Sequence, residues 1–200
     1  LSNQLNGSRQ IKETLLSQVK NAEILNSEKE STDNKGNVWA KVLYNWEDSS
    51  SDGNANSYDA SAYGVLLGAD QRFNNDKMLL GVAAGVTKTS LSGYNSHANS
   101  ENYHLSLYSG YDFNRITLRA GVSNTFHRVH TSKTLNYVAQ SDKNTANYNG
   151  NTNQIFIEVA YPITLSDTQL EPFVNLEYAK TKNATINEQG GRAALQAHSQ

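Results

Sequence analysis

No cysteine occurs among the 200 residues, so neither a disulfide framework nor a thiolate metal site is open to this chain. Proline is nearly missing, at 2 residues, which favours regular strands over a chain of linkers. An excess of one charge is missing too: the formal net charge is -2, and no nucleic-acid partner is expected. No stretch approaches the ~18 consecutive apolar residues that a membrane-spanning helix requires, and mean hydropathy is -0.64. Helical insertion is thereby excluded, but a β-barrel is not: only every second residue of its strands meets lipid, so the whole chain reads as hydrophilic. The opening residues LSNQLNGSRQIKETLL lack a basic start followed by an apolar core, so no signal peptide is read there.

What is present is periodicity of two kinds. Over about residues 8–30, Ile11, Leu15, Val19 and Ala22 recur at helical spacing, with Ile24 or Leu25 close to the same stripe. Arg9, Lys12, Glu13, Lys20, Glu23 and Glu28 surround this narrow stripe, so the helix is expected in a mostly polar setting. A polar break, STDNKGN, follows, and from Val38 onward the period is two. Seven strands are expected, at about 38–46, 58–68, 78–88, 102–112, 115–127, 153–162 and 170–180. Their length of about ten residues suits a tilted crossing of a bilayer, whereas soluble strands are usually about half as long.

One face of every strand is apolar. Val65, Leu67, Val82, Leu105, Leu107, Leu118, Ile157 and Leu176 belong to it and are expected to face lipid. Tyr44, Trp46, Tyr103, Tyr111, Tyr161 and Tyr178 sit toward the ends of that face, as interfacial girdles do. The opposite face carries Lys41, Arg119, Glu158 and Glu177, the candidates for contact with the helix, with Glu13 or Glu23 as the expected partner of Arg119, and it is expected to line a wet interior. On the lipid face such a Lys or Arg would cost about 2–4 kcal/mol near the midplane. Gly64, Gly68, Gly81, Gly85, Gly110 and Gly121 also point inward and are read as clearing room for something wide.

Connections alternate in length. Those near 70–77, 112–115 and 162–169 read as short, those near 47–57, 88–101 and 128–150 as long and rich in Asn, Ser, Asp and Gly. Short periplasmic turns and long extracellular loops are the pattern of outer-membrane barrels. The first strand then runs outward, and a helix just before it ends at the periplasmic rim, threading the pore from outside. An eight-stranded barrel is filled by its own side chains and has no space for a helix. More strands are required than the seven read here, and the chain is expected to stop before the barrel closes, with EQGGRAALQAHSQ as an extracellular loop leading toward a further strand.

These features together resemble the C-terminal β-barrel translocator of the type V secretion autotransporters of Gram-negative bacteria. The matching stretches are VWAKVLYNW, YGVLLGADQRF with LLGVAAGVTKTSL, YHLSLYSGYDF with ITLRAGVSNTFHRVHTS, EPFVNLEYAK and EQGGRAAL, in that order, over residues 38–195. The resemblance implies an all-β fold: an antiparallel transmembrane β-barrel, twelve strands when intact and about seven or eight here, with an N-terminal α-helix in the pore. It divides the chain into residues 1–36, linker and pore helix, and 37–200, barrel. It further implies an outer-membrane location, with outer-membrane lipid, the chain's own N-terminal passenger and the barrel-assembly machinery as partners. Some members cut the helix between two adjacent Asn residues. Here Asn21 and Asn26 stand apart in the helix and the one adjacent pair, Asn74-Asn75, falls in a turn, so self-cleavage is not carried over.

No catalytic, cofactor or metal residue is assigned. His104 and His127 point inward on neighbouring strands with Ser106, Ser123 and Asp112, but at different heights, so they read as lumen polarity in place of a hydrolase triad. His127 and His130 alone are too few for a metal that wants three or four ligands. The two competing functions are an outer-membrane barrel enzyme, a protease or lipid hydrolase, and a soluble β-sandwich adhesin.

Overall fold

A computed structural model describes residues 2–27, 36–49, 58–74, 77–93, 96–113, 115–137, 140–165, 168–183, 186–190 and 196–197. One helix, α1 (Ser2–Ser27), precedes a single antiparallel sheet. Its strands are β1 (Asn37–Ser49), β2 (Tyr58–Phe73), β3 (Met78–Gly93), β4 (Ser96–Asp112), β5 (Thr117–Tyr137) and β6 (Gln140–Ala160), each paired to the next. A small hairpin, β7 (Ile163–Leu165) with β8 (Thr168–Leu170), caps the rim. β9 (Phe173–Asn183) and then β10 (Ile186–Gly190) run along β6, and β11 (Gln196–Ala197) turns back on β10. Among the described residues β1 pairs on one side only and the sheet is not closed.

Strand alternation is where the sequence places it, but the strands are longer. The segments read as long loops, 88–101 and 128–150, are mostly strand: β3 and β4 pair out to Gly93↔Ser96, β5 and β6 out to Tyr137↔Gln140. Both faces turn polar there, so the contrast that reveals a strand vanishes while the ladder continues. Ser90–Asn99 and Ser92–His97 side-chain hydrogen bonds hold its rungs. The 47–57 connection is described only as far as Ser49. The strand expected at 170–180 begins at Phe173, and the stretch before it forms the β7–β8 hairpin. At the β2–β3 turn Asn74 takes a φ of 55°, a left-handed conformation that Asn tolerates. The helix starts earlier than its apolar stripe, at Ser2, and is described to Ser27; residues 28–30 of the expected helix lie outside the described residues.

The register also yields the tilt. The upper outward aromatic is Tyr63 on β2 and Tyr178 on β9. Tyr178 connects through Ile155, Val122, Leu107 and Val82 to Ala69, so the boundary slips six residues over five strand steps. With about 3.3 Å per residue and about 4.8 Å between strands, this slip corresponds to a tilt of about 40°, inside the range of outer-membrane barrels. On β4 the outward row from Tyr103 to Phe113 then rises about 25 Å, the height of such a barrel's apolar band.

Candidate functional site

The two faces of the wall have different neighbours. Outward, Val65, Leu67, Val82, Leu105, Leu107, Ile157 and Leu176 are exposed, from 41% for Val65 to 70% for Leu176, and Leu118 is half-buried. No second sheet covers them among the described residues, so the β-sandwich reading is overturned: its core would have to be these side chains.

Inward lies the helix. Ile11, Leu15, Leu16, Val19 and Ala22 are buried against Leu43, Leu66, Leu79, Ala83, Tyr108 and Phe156, with Trp39 at the margin. Each large aliphatic side chain so removed from water contributes about 1.5–3 kcal/mol. The expectation of a mostly polar setting for the helix is thus corrected: a dry strip joins it to the wall. Three of the six inward glycines require a second correction. A Cβ on Gly68 would come within 2.3 Å of the Trp39 indole, on Gly81 within 2.2 Å of the Tyr108 ring, and on Gly121 within 2.4 Å of the Phe156 ring. Each aromatic is the register partner of its glycine and lies flat across it. These glycines make room for aromatic neighbours in the wall, and those aromatics meet the helix.

Polar contacts around the strip fix the helix's direction and height. Near its start Gln10 donates to the Tyr44 carbonyl at 3.4 Å, and further down Lys41 reaches Ser17 at 3.4 Å. Gln18 donates to Asp70 at 3.2 Å, and Arg72, beside the β2–β3 turn, donates to the Ala22 carbonyl. The helix therefore runs antiparallel to β1 and ends toward the short-turn rim. Lys12 binds Glu177 at 2.5 Å, and Lys20 binds Glu158 at 3.1 Å and Glu171 at 3.8 Å. Arg119 donates to Glu158 at 2.8 Å and clasps Glu171 with both terminal nitrogens, at 2.9 and 3.1 Å.

Of the four candidates for helix contact, Lys41, Glu158 and Glu177 thus meet Ser17, Lys20 and Lys12. Arg119 shares the Glu158 and Glu171 carboxylates with Lys20. A direct bond from Arg119 to Glu13 is not formed, because Glu13 pairs with Arg9 at 3.0 Å on the helix itself. The side chain of Glu23, the other carboxylate expected to meet Arg119, lies outside the described residues. Sequence reasoning missed Lys12, Lys20 and Glu171 as partners. Lys12 and Lys20 are eight positions apart, about 80° around the helix and so on the same half of it, the one signal that could have found them.

Both inward histidines are enclosed by hydroxyls and amides. His104 bonds Thr87 at 2.8 Å and Thr125 at 2.9 Å; His127 bonds Asn102 at 2.7 Å and Thr152 at 2.8 Å. No carboxylate orients either ring in these bonds, and Ser123 is engaged with Gln154 at 3.2 Å. A triad needs a base held by a third group and aimed at a nucleophile, and these pairings are of another kind. Among the described residues no three His, Asp or Glu side chains gather as a metal site.

A tilted antiparallel wall, apolar outside and packed on a helix inside, defines the class: an outer-membrane β-barrel with an internal helix. The Autotransporter beta-domain pattern matches residues 38–200, and the chain belongs to that family. It is 44% identical over all its 200 residues to an "Extracellular serine protease" of Serratia marcescens. It is 27% identical, over 78% of its length, to "Outer membrane protein B" of Rickettsia typhi. Among solved structures it is similar to the translocator domain of the autotransporter NalP from Neisseria meningitidis, with a TM-score of 0.72 at 12% identity, covering 98% of this chain and 66% of that one. The chain spans 19% of the Serratia relative's length and 10% of the Rickettsia relative's. It is an autotransporter β-domain, and it resides in the outer membrane.

Proposed function

We propose that this domain exports an N-terminal passenger to the cell surface and then anchors it, with α1 as the tether inside the barrel. One observation carries the reading: the helix buries an apolar stripe against the inner wall while running from the Tyr44 level to the short-turn rim. A chain entering at that rim and leaving upward along the helix is oriented for transport outward. The passenger is the partner that passes through, outer-membrane lipid contacts the outward row, and the barrel-assembly machinery inserts the wall. The protease activity named for the Serratia relatives we assign to the portion of those chains that this domain does not match, and the domain itself is a conduit and anchor without chemistry.

The test is electrical. Full-length protein reconstituted in planar bilayers is compared with a version lacking residues 2–27. Removal of the helix is expected to raise single-channel conductance severalfold, and equal conductance would show that the helix does not fill the pore.

A further inference from the structure

We propose that the outer face of β4 to β9 holds one phosphorylated, acylated lipid of the outer leaflet; this rests on the outer-membrane reading above. The outward row of β5 is short, with Ala120, Val122 and Asn124, whereas Leu105 and Leu107 on β4, Ile155 on β6 and Tyr178 on β9 flank it with longer side chains. Short residues between long ones leave a furrow of about 470 Å³ along β5. Its flanks offer a stretch of acyl chain an apolar bed.

The upper end of the furrow is polar. Asn124 donates to Asn151 at 3.1 Å and to Asn153 at 2.9 Å, and Asn153 donates to Asn151 at 2.8 Å, closing it with an amide cluster. Next to this cluster, on the same outward face, stand Lys180 in register with Asn153 and Lys182 in register with Asn151. Both are exposed, and neither makes an ion pair with any described residue. Arg128 lies nearby, over the Tyr103 ring at 5.5 Å. The single outward carboxylate among the described residues of β3 to β9 is Glu101, already bound to Lys88 at 2.9 Å.

Position decides the ligand. With a tilt of about 40°, Lys180 and Lys182 rise roughly 5 and 10 Å above the Tyr178 belt, within the headgroup layer. Free ammonium groups at that height, amide donors beneath them and an apolar furrow below match a phosphate on a hydrophilic headgroup with acyl chains descending from it. A bare basic patch would attract anions without the furrow, and a bare furrow would take any lipid.

The full-length protein is inserted into phosphatidylcholine nanodiscs and titrated with hexa-acyl diphosphoryl lipid A or the same lipid after dephosphorylation, with bound lipid read by native mass spectrometry. The expected result is one retained diphosphoryl molecule, with the dephosphorylated lipid bound much more weakly. Lys180→Gln and Lys182→Gln each weaken retention about fivefold, and the double variant roughly 25-fold. Val122→Trp, which fills the furrow and leaves both lysines, abolishes retention. Heat-modifiable migration in gels confirms that each variant is folded. Equal retention of the two lipids, or unchanged affinity in the double variant, overturns the proposal. So does a furrow covered by a second copy of the chain, seen as a dimer that Val122→Trp disperses. Failure of the outer-membrane reading is separate, and would appear as failure to enter the nanodisc.

Discussion

Two ion pairs of nearly equal length sit on opposite sides of the same wall. Inside, Arg119 and Glu158 meet at 2.8 Å with side chains 1% and 2% exposed; outside, Lys88 and Glu101 meet at 2.9 Å with side chains 58% and 48% exposed. Length does not separate them, so surroundings must. Water and salt screen the outer pair, and holding two long side chains together costs entropy that offsets most of the attraction. The inner pair is one edge of a network in which Arg119 and Lys20 face Glu158 and Glu171, two charges of each sign spanning β5, β6, the rim and the helix. Little water reaches Arg119 and Glu158, although Lys20 and Glu171 at the edge of the network are about one-third exposed. The inner charges therefore fix the helix to the wall, and the outer ones adorn a strand.

The largest effect is expected where that network is broken. Arg119→Met leaves Glu158 and Glu171 with Lys20 as their cation and Asn175 as a neutral donor to Glu158, and removing one partner of a buried pair costs about 3–5 kcal/mol. Urea titration of the folded band in cold detergent gels measures this, and a smaller companion effect in protein lacking residues 2–27 would show that the cost runs through the helix. A middling effect is expected from shape on the same inner face. Gly121→Ala drives a methyl into the Phe156 ring, and overpacking of this kind costs about 1–3 kcal/mol. Phe156→Leu in the same chain should recover part of the loss, since the two positions are register partners and do not add independently. An additive result would mean that the ring has space to move, and that the inner face is as forgiving as the outer.

The outer face was the more legible in the sequence, because a single rule, an apolar side chain at every second position, governs it. Val82, Leu107 and Ile157 could be assigned from alternation alone. The inner face obeys no such single rule. Phe156 and Tyr108 share it with Glu158 and Arg119, and a reading by average polarity makes it wet. What organises that face is a partner distant in the chain: Leu15 and Lys20 decide which lumen residues are dry and which are paired. Glycine shows the same limit. Gly68, Gly81 and Gly121 were visible as a pattern, but that each lies under an aromatic follows from cross-strand register, which a one-dimensional period does not contain. The upper halves of β3 to β6 escaped for the opposite reason, both faces there being polar.

The smallest effect belongs to the outer pair, and its pH dependence tests the comparison most sharply. The hydrogen bond and charge of Lys88 hold the Glu101 carboxyl below its ordinary 4.5, and Glu101 in turn raises Lys88 above its ordinary 10.5. A lowered carboxylate stabilises the fold above its unfolded value and loses that contribution as pH falls through its folded one. A raised ammonium stabilises below its unfolded value and loses that contribution as pH rises through its folded one. The contribution of the pair is therefore level from about pH 5 to about pH 10 and fades at both ends. Glu101→Gln should shift the urea midpoint little in that window, and the small difference from wild type should vanish in 1 M salt, where screening acts over about 3 Å. The Arg119→Met deficit should persist in the same salt, because the ions that screen Lys88 have little access to a side chain 1% exposed. If both deficits disappeared together, the inner network would be as open to solvent as the outer pair, and the helix would owe its place to the apolar strip alone.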